Sequence, residues 1–160
     1  MNGLQIIRSY TMSLDALPEA VFPLLCPVRE YDWIEPWSCE VIFTRSGFAD
    51  ETCVFQTNFP DDGGPDGGSR TWVVSRYEPP SRIEFVVTGD DTALHYAIAL
   101  CPDGEGTEAT WCQRYTALTA VGRDRLARFT AETHEAEMRT LERMLAHYLE
   151  TGTRLALSML

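Results

Sequence analysis

The chain has 160 residues, of which 44% are hydrophobic and 23% charged, a mixture typical of one globular domain spanning residues 1–160. Its formal net charge is −11, and all 13 of its basic residues are arginines. An acidic domain without a basic stripe repels phosphate backbones, so nucleic acid is not an expected partner, and Schiff-base chemistry on a lysine is excluded.

The five cysteines are odd in number, scattered, and form no CxxC pair, which favours free thiols in a reducing compartment. The N-terminus lacks the basic start and apolar run of a signal peptide. No apolar run approaches the roughly 18–20 residues of a membrane span. We therefore expect a cytoplasmic protein without a membrane span.

In chain order, residues 4–14 are rich in β-formers and predict a first strand. Asp15 is a candidate N-cap for a short helix that follows. The segment 26–37, CPVREYDWIEPW, packs three large aromatic residues and four charges between prolines. It predicts a second short helix over residues 28–33, which ends before Pro36.

Beyond this segment, short β-rich runs alternate with turn residues and predict six more strands. These strands cover residues 38–46, 52–58, 70–78, 81–89, 92–101 and 107–118. Gly122 breaks the pattern, and a long helix is predicted from Asp124, as N-cap, to near Leu149. Strands segregated from a long helix indicate an α+β fold, in which this helix covers the apolar face of an antiparallel sheet.

The face of the long helix that should meet the sheet carries a carboxylate. At 100° per residue one sector contains Leu126, Thr133, Glu137, Met144 and Tyr148. Glu137 either pairs with an arginine or hydroxyl at the solvent edge, or helix and sheet enclose a partly polar cavity. Arg29 is one candidate partner for Glu137.

The alternation of the strands places aromatic and polar groups on the same inward face. Phe85 shares a face with Ile83 and Val87, and Tyr96 lies on the apolar face of the next strand. Trp111, Gln113 and Tyr115 share a face of the last strand. These side chains either line a pocket or fill the core with their polar tips satisfied.

The element order resembles that of the START-like, or SRPBCC, superfamily. The resemblance also lies in segment 26–37 leading into SCEVIFTRSGF, in the IEFV strand, and in TEATWCQRYTAL before a long helix. It covers nearly the whole chain and implies a helix-grip fold, in which a curved seven-stranded antiparallel sheet grips the C-terminal helix. Two short helices after the first strand would close one end of a deep cavity.

The resemblance implies binding of a hydrophobic small molecule in that cavity, without a cofactor. The candidate ligand-binding residues are Trp33, Trp37, Phe85, Tyr96, Trp111, Gln113, Tyr115, Thr133, Glu137, Leu141 and Met144. One alternative is a polyketide cyclase or dehydratase, with Glu137 as a catalytic carboxyl of raised pKa and Tyr96, Tyr115 or Gln113 polarising a carbonyl. A second is a protein-interaction module like the relatives that activate Hsp90.

Other candidate sites are weaker. His134 and Glu137 are three residues apart on the helix, but no HExxH or paired-cysteine spacing accompanies them, so no metal site is predicted and His134 is interpreted as an exposed helix histidine. The acidic, glycine-rich residues 61–68 match no calcium loop and predict a mobile hairpin loop. The apolar tail 154–160 either finishes the helix or forms a homodimer contact.

Overall fold

The computed structural model describes residues 3–160. The first strand, β1 (Gln5–Leu14), leads into a helical corner made of α1 (Pro18–Val21), a 3-10 turn (Phe22–Leu25) and α2 (Pro27–Glu30). The next strands are β2 (Glu40–Phe43), β3 (Val54–Phe59), β4 (Gly68–Glu78), β5 (Arg82–Thr88), β6 (Thr92–Asp103) and β7 (Gly106–Ala117). The chain ends with α3 (Ala120–Arg128), α4 (Ala131–Thr151) and a short 3-10 turn (Leu157–Met159).

The seven strands form one antiparallel sheet in the order β1-β7-β6-β5-β4-β3-β2. Its register pairs Phe85 with Tyr96 and Tyr96 with Gln113, while Ile98 faces Trp111. These residues therefore share the inner face, the phase that the alternation predicts. The predicted α+β helix-grip fold is confirmed: a curved seven-stranded antiparallel sheet, a long C-terminal helix, and short helices after the first strand.

The helical corner closes one end of the core. Trp33 is fully buried there, and its indole N–H donates a hydrogen bond to the Leu24 carbonyl at 2.8 Å. Asp15 does not cap α1, because α1 begins after Leu17 and this residue makes no side-chain cap. Pro18, in the first turn of α1, needs no partner for a backbone N–H, so the helix starts there without a cap.

The C-terminal helical segment is two helices rather than one. Thr119 caps α3 and accepts a hydrogen bond from the Gly122 N–H at 3.1 Å, so Asp124 lies inside α3 and is not its N-cap. The helix stops at Phe129, whose ψ of 81° is not helical. Thr130 then caps α4 by accepting from the Thr133 N–H at 3.2 Å.

This break moves the buried face of α4 away from the predicted sector. The buried residues of α4 are His134, Met138, Met144 and Leu145, with Leu141 and Tyr148 partly buried beside them. Thr133 is exposed at the cap. The prediction counted continuously from Leu126, but a break in the helix resets the angular phase of every residue that follows.

Helix α4 is fixed to one edge of the sheet. The Glu142 carboxylate accepts hydrogen bonds from the Tyr10 hydroxyl at 2.5 Å and from the Ser13 backbone N–H at 3.1 Å, both on β1. The backbone of α4 approaches β1 more closely than it approaches the other strands. Core side chains therefore lie between the backbone of α4 and the middle of the sheet.

The C-terminal tail folds back on α4. Gly152 ends the helix in the left-handed conformation (φ 69°), and Arg143 donates to the Met159 carbonyl at 2.8 Å. Leu155 is buried, while Leu157 and Met159 stay exposed. The tail thus does not finish the helix, and a homodimer contact through it stays a prediction. No helix in the described part of the chain is both long and apolar enough to cross a membrane.

The contact between α3 and the β5–β6 turn gives a first prediction. A Cβ at Gly122 would lie 1.9 Å from the Asp91 carbonyl oxygen, which accepts from the Leu118 N–H. Glycine-to-alanine changes inside helices usually stabilise a protein. Here we expect Gly122→Ala to lower the free energy of unfolding by about 3 kcal/mol, because backbone must move to admit the methyl group. Urea unfolding measures this change.

Gly3→Ala is the matched control, because nothing lies within 4 Å of its added Cβ. It should change the free energy of unfolding by less than about 0.5 kcal/mol. A Gly122→Ala protein as stable as the unmodified one would contradict the close packing of α3 on the turn.

Candidate functional site

An aromatic wall covers the middle of the sheet's inner face, opposite α4. The ring centroids lie 5.7 Å apart between Trp72 and Phe85, 6.4 Å between Phe85 and Tyr96, and 5.9 Å between Tyr96 and Trp111. Phe55 stacks against Trp72 at 5.3 Å. Trp72 is only partly buried although it faces inward, so solvent reaches this end of the wall, and we call this opening the cleft.

Two polar groups of the wall have no hydrogen-bond partner among the residues that the structure describes. Trp111 is 3% exposed, and its indole N–H is buried and unpaired. Tyr96 is 8% exposed, and no side-chain hydrogen bond reaches its hydroxyl. Buried N–H groups are nearly always paired in folded proteins, so the Trp111 N–H is available to a group that enters the cleft.

Three carboxylates act electrostatically on the Tyr96 hydroxyl: Asp66, Glu30 and Glu137. Loss of hydration in the protein interior, together with these negative charges, holds the pKa of Tyr96 well above its usual range. They come from three separate elements, namely the β3–β4 loop, α2 and α4. The fold thus gathers negative charge at the polar edge of the aromatic wall.

The negative charges of Glu30 and Glu137 are poorly compensated by positive charges. Burial raises the pKa of Glu30 to about 8. Glu137 lies exposed at the mouth of the cleft, yet crowding by protein, and then Asp66 and Asp62, raise its pKa to about 7. No salt bridge reaches either carboxylate within residues 3–160. Both can therefore carry or release a proton near neutral pH.

Asp66 ends a chain of hydrogen bonds that joins helix, sheet and loop. The Tyr115 hydroxyl donates to Asp66 at 2.8 Å, and the Gln113 amide donates to the Tyr115 oxygen at 3.1 Å. His134 Nε2 lies 2.8 Å from Gln113 Oε1. Since that oxygen only accepts, Nε2 carries the hydrogen, and burial lowers the pKa of His134 so that the ring is neutral.

A buried arginine on β4 also binds the β3–β4 loop. Arg70 on β4 donates from Nη1 to the Pro65 carbonyl at 2.7 Å and to Thr92 Oγ1 at 2.9 Å. Its charge favours the ionised form of Asp66 against the larger effect of burial, which raises the pKa of Asp66. At the rim, Arg125 pairs with Asp61 at 2.7 Å.

Residues 60–67 connect the antiparallel strands β3 and β4, so the expected hairpin loop is present, but contacts hold it in place. Residues 60–67 are pinned to β4, β7 and α3, and Pro65 is buried. A pocket of about 190 Å³ remains between this loop and α4, where Asp66 and Glu137 line it together with Phe59. The loop therefore forms one lip of the cleft.

The structure brings most of the sequence-predicted site residues together. Phe85, Tyr96, Trp111, Gln113 and Tyr115 lie on the inner face of the sheet, opposite Leu141 and Met144 of α4, with Glu137 at the mouth. Trp37 stands at the rim, 5.7 Å from the Phe59 ring, and donates to the Pro27 carbonyl.

Two predicted residues lie elsewhere. Trp33 is enclosed in the helical corner, where its indole N–H donates a hydrogen bond to the Leu24 carbonyl. Thr133 belongs to the exposed cap of α4. Arg29 does not pair with Glu137, because its guanidinium bonds Asp32 at 2.8 Å.

Sequence reasoning missed Glu30, Asp66 and the buried state of His134. The interpretation of His134 as an exposed helix histidine is wrong, since only 3% of it is exposed. Glu30 lies three residues before the buried Trp33, at the end of a short helix, and this spacing is a signal that could have placed it inward. Asp66 carries no such signal, because its position depends on how a glycine-rich loop folds back.

The chemistry available here is therefore that of acids and hydrogen bonds. Outside the first two residues, no group of three or more His, Cys, Asp or Glu side chains is arranged to hold a metal ion. All five cysteines are free. The cleft offers carboxyls, a phenol and an indole N–H beside flat aromatic surfaces.

Comparison with known proteins relates this fold to solved structures. No protein-family model matches the sequence, and no curated protein does. An uncharacterised protein from Rhizobium leguminosarum matches with a TM-score of 0.65 and 13% identity, over 93% of this chain and 97% of the other. Norcoclaurine synthase from Thalictrum flavum, in complex with dopamine and hydroxybenzaldehyde, matches with a TM-score of 0.63 and 9% identity, over 91% and 89%.

DynU16, a protein of the dynemicin biosynthetic locus, matches with a TM-score of 0.59 and 20% identity, over 92% of this chain. This chain corresponds to 48% of DynU16. At these identities the similarity is one of fold alone. The neighbours share the helix-grip fold described above.

Proposed function

We propose that this protein binds a small organic molecule with a large apolar part, in the cleft between the inner face of the sheet and α4. The observation that carries this proposal is the aromatic wall whose Trp111 N–H, within residues 3–160, is buried without a partner. A wall that only filled a core would satisfy its polar atoms, because an unpaired buried donor costs about 1–3 kcal/mol.

The placement of α4 supports the same function. Because Glu142 fixes the helix to β1, the helix stands over the cleft without filling it. The chain from His134 to Asp66 fixes the loop at the mouth. The walls are thus held in place before any ligand arrives, and prearranged walls reduce the entropy lost on binding. The norcoclaurine synthase neighbour, which is in complex with two small aromatic molecules, supports this use of the fold.

A proton-transfer enzyme of the cyclase or dehydratase kind is the second candidate function. The observation that favours it is the carboxyl of Glu137, whose pKa of about 7 suits a general acid or base at neutral pH. Tyr96 lies in range of this carboxyl and could donate a hydrogen bond to a substrate carbonyl. This function requires the same cleft and adds a reaction to the binding.

Binding in the cleft can be tested with Nile red, a neutral apolar dye. The dye should gain fluorescence and shift to shorter wavelength with the unmodified protein. Leu141 is partly buried on the cleft side of α4. Leu141→Trp should weaken dye binding about tenfold, because the larger ring occupies ligand space.

Val121→Trp on α3 is the control, since Val121 is exposed away from the cleft. Circular dichroism establishes that both variants are folded. Equal dye binding by both variants would place the dye on the surface and contradict the proposal.

The carboxylates predict how the stability of the empty protein depends on pH. Glu30 titrates near 4.3 in an unfolded chain and near pH 8 when folded, so between these values the folded state binds more protons. Stability must then fall as pH rises through this window. Glu137, raised to about 7, acts in the same direction up to that pH.

Urea unfolding should therefore show a free energy of unfolding that declines from pH 5 to pH 8. Glu30→Gln should recover about 2–4 kcal/mol at pH 8 and little at pH 5. Glu135→Gln, on the exposed side of α4 beside Arg139, should leave the decline unchanged. A stability that is flat from pH 5 to pH 8 would show that Glu30 is hydrated.

A further inference from the structure

The rest of the chain covers the two edges of the sheet differently. Helix α4 lies against the β1 edge, where Glu142 accepts a hydrogen bond from the Ser13 backbone N–H at 3.1 Å. At the other edge β2 pairs with β3, and among residues 3–160 no element pairs with the outer side of β2. The outer backbone N–H and carbonyl groups of β2 are therefore open to a further strand.

Apolar side chains are concentrated at this open edge. Val41, Ile42 and Phe43 follow one another in β2, and all three are exposed. Phe48, in the turn between β2 and β3, and Tyr31, whose hydroxyl bonds the backbone just before β2, are exposed as well. Single exposed apolar side chains are ordinary in a monomer, but a contiguous group of them marks an interaction surface.

The length of β2 limits what this surface does. The strand has four residues, and its pairing with β3 shifts register between Val41 and Phe43. Short and irregular edge strands prevent unlimited growth of a sheet. The charged or proline residues that also guard edges do not occur at these three apolar positions. The edge is therefore suited to one short, reversible contact.

The charges at the two ends of β2 indicate what pairs with it. Glu40 begins the strand, and Arg45 lies two residues beyond its end. Both are exposed, and no ion pair within residues 3–160 uses either of them. When two β2 strands pair antiparallel, Glu40 of each copy lies near the partner's Arg45. A parallel pair would bring like charges together, which is unfavourable.

We propose that the β2 edge is a self-association surface, on which a second copy of this chain adds its own β2 antiparallel and continues the sheet across a two-fold axis. The open backbone groups supply the hydrogen bonds, as in strand addition to other sheet edges. The apolar side chains of the two strands shield each other from water, and each contact occurs twice. Because the paired segments are short, the interface belongs to the small class, whose complexes are weak and transient.

Analytical ultracentrifugation of the full chain measures this association. The unmodified protein has a monomer mass of 18.0 kDa. It should approach twice that mass at about 100 µM and return to the monomer on dilution. Ile42→Lys should weaken the dimer about tenfold, because it places a charge in the paired strand. Ile7→Lys on β1 is the matched control, since Ile7 is 51% and Ile42 52% exposed, and it should leave the dimer unchanged.

Exchanging the end charges distinguishes antiparallel pairing from a general apolar contact. Glu40→Arg and Arg45→Glu should each weaken the dimer about tenfold, because each brings like charges together at both ends of the interface. The double variant restores opposite charges, so its affinity should return to within about threefold of the unmodified protein. Circular dichroism establishes that every variant is folded.

A protein that stays monomeric at about 100 µM overturns the proposal, and so does a dimer that Ile42→Lys leaves intact. A dimer that resists Ile42→Lys but is lost on deletion of residues 154–160 assigns self-association to the C-terminal tail. A double variant that does not recover overturns the antiparallel pairing of β2. Binding of Nile red in the cleft is measured separately and does not depend on these outcomes.

Discussion

The long helix α4 covers the inner face of a seven-stranded sheet. Its attachment to the edge strand β1 determines what lies between the helix and the middle of the sheet. Glu142 fixes α4 to the edge strand by accepting from Tyr10 and Ser13. A helix held along one edge of a curved sheet cannot contact the middle strands closely as well. The remaining space is left to aromatic side chains and to a cleft.

The second tie is polar and runs through the core. His134 on α4 reaches Gln113 on β7, and the chain continues through Tyr115 to Asp66 in the loop. A buried network of this kind is favourable only when each member is satisfied, and here every donor in the chain meets an acceptor. The network therefore joins α4, the sheet and the β3–β4 loop into one arrangement.

The sequence was sufficient for the sheet because strand alternation is local. The inward positions of Phe85, Tyr96 and Trp111 follow from period-two patterning, which neighbouring strands then reinforce. The buried face of α4 was predicted incorrectly because the sequence gave no sign of the helix break at Phe129, where the residues on both sides are mostly polar. Contacts such as that of Asp66 with Tyr115 join residues 49 positions apart, and no local rule predicts them.

The arginines that form ion pairs do so away from Glu30 and Glu137. The chain has 13 arginines, and the charge of Arg70 acts on Asp66, but no ion pair within residues 3–160 joins an arginine to Glu30 or Glu137. The ion pairs at the surface and rim include Arg29 with Asp32, Arg76 and Arg82 with Glu84, Arg125 with Asp61, and Arg139 with Glu135. Leaving Glu30 and Glu137 without such a partner lowers the stability of the empty protein at neutral pH.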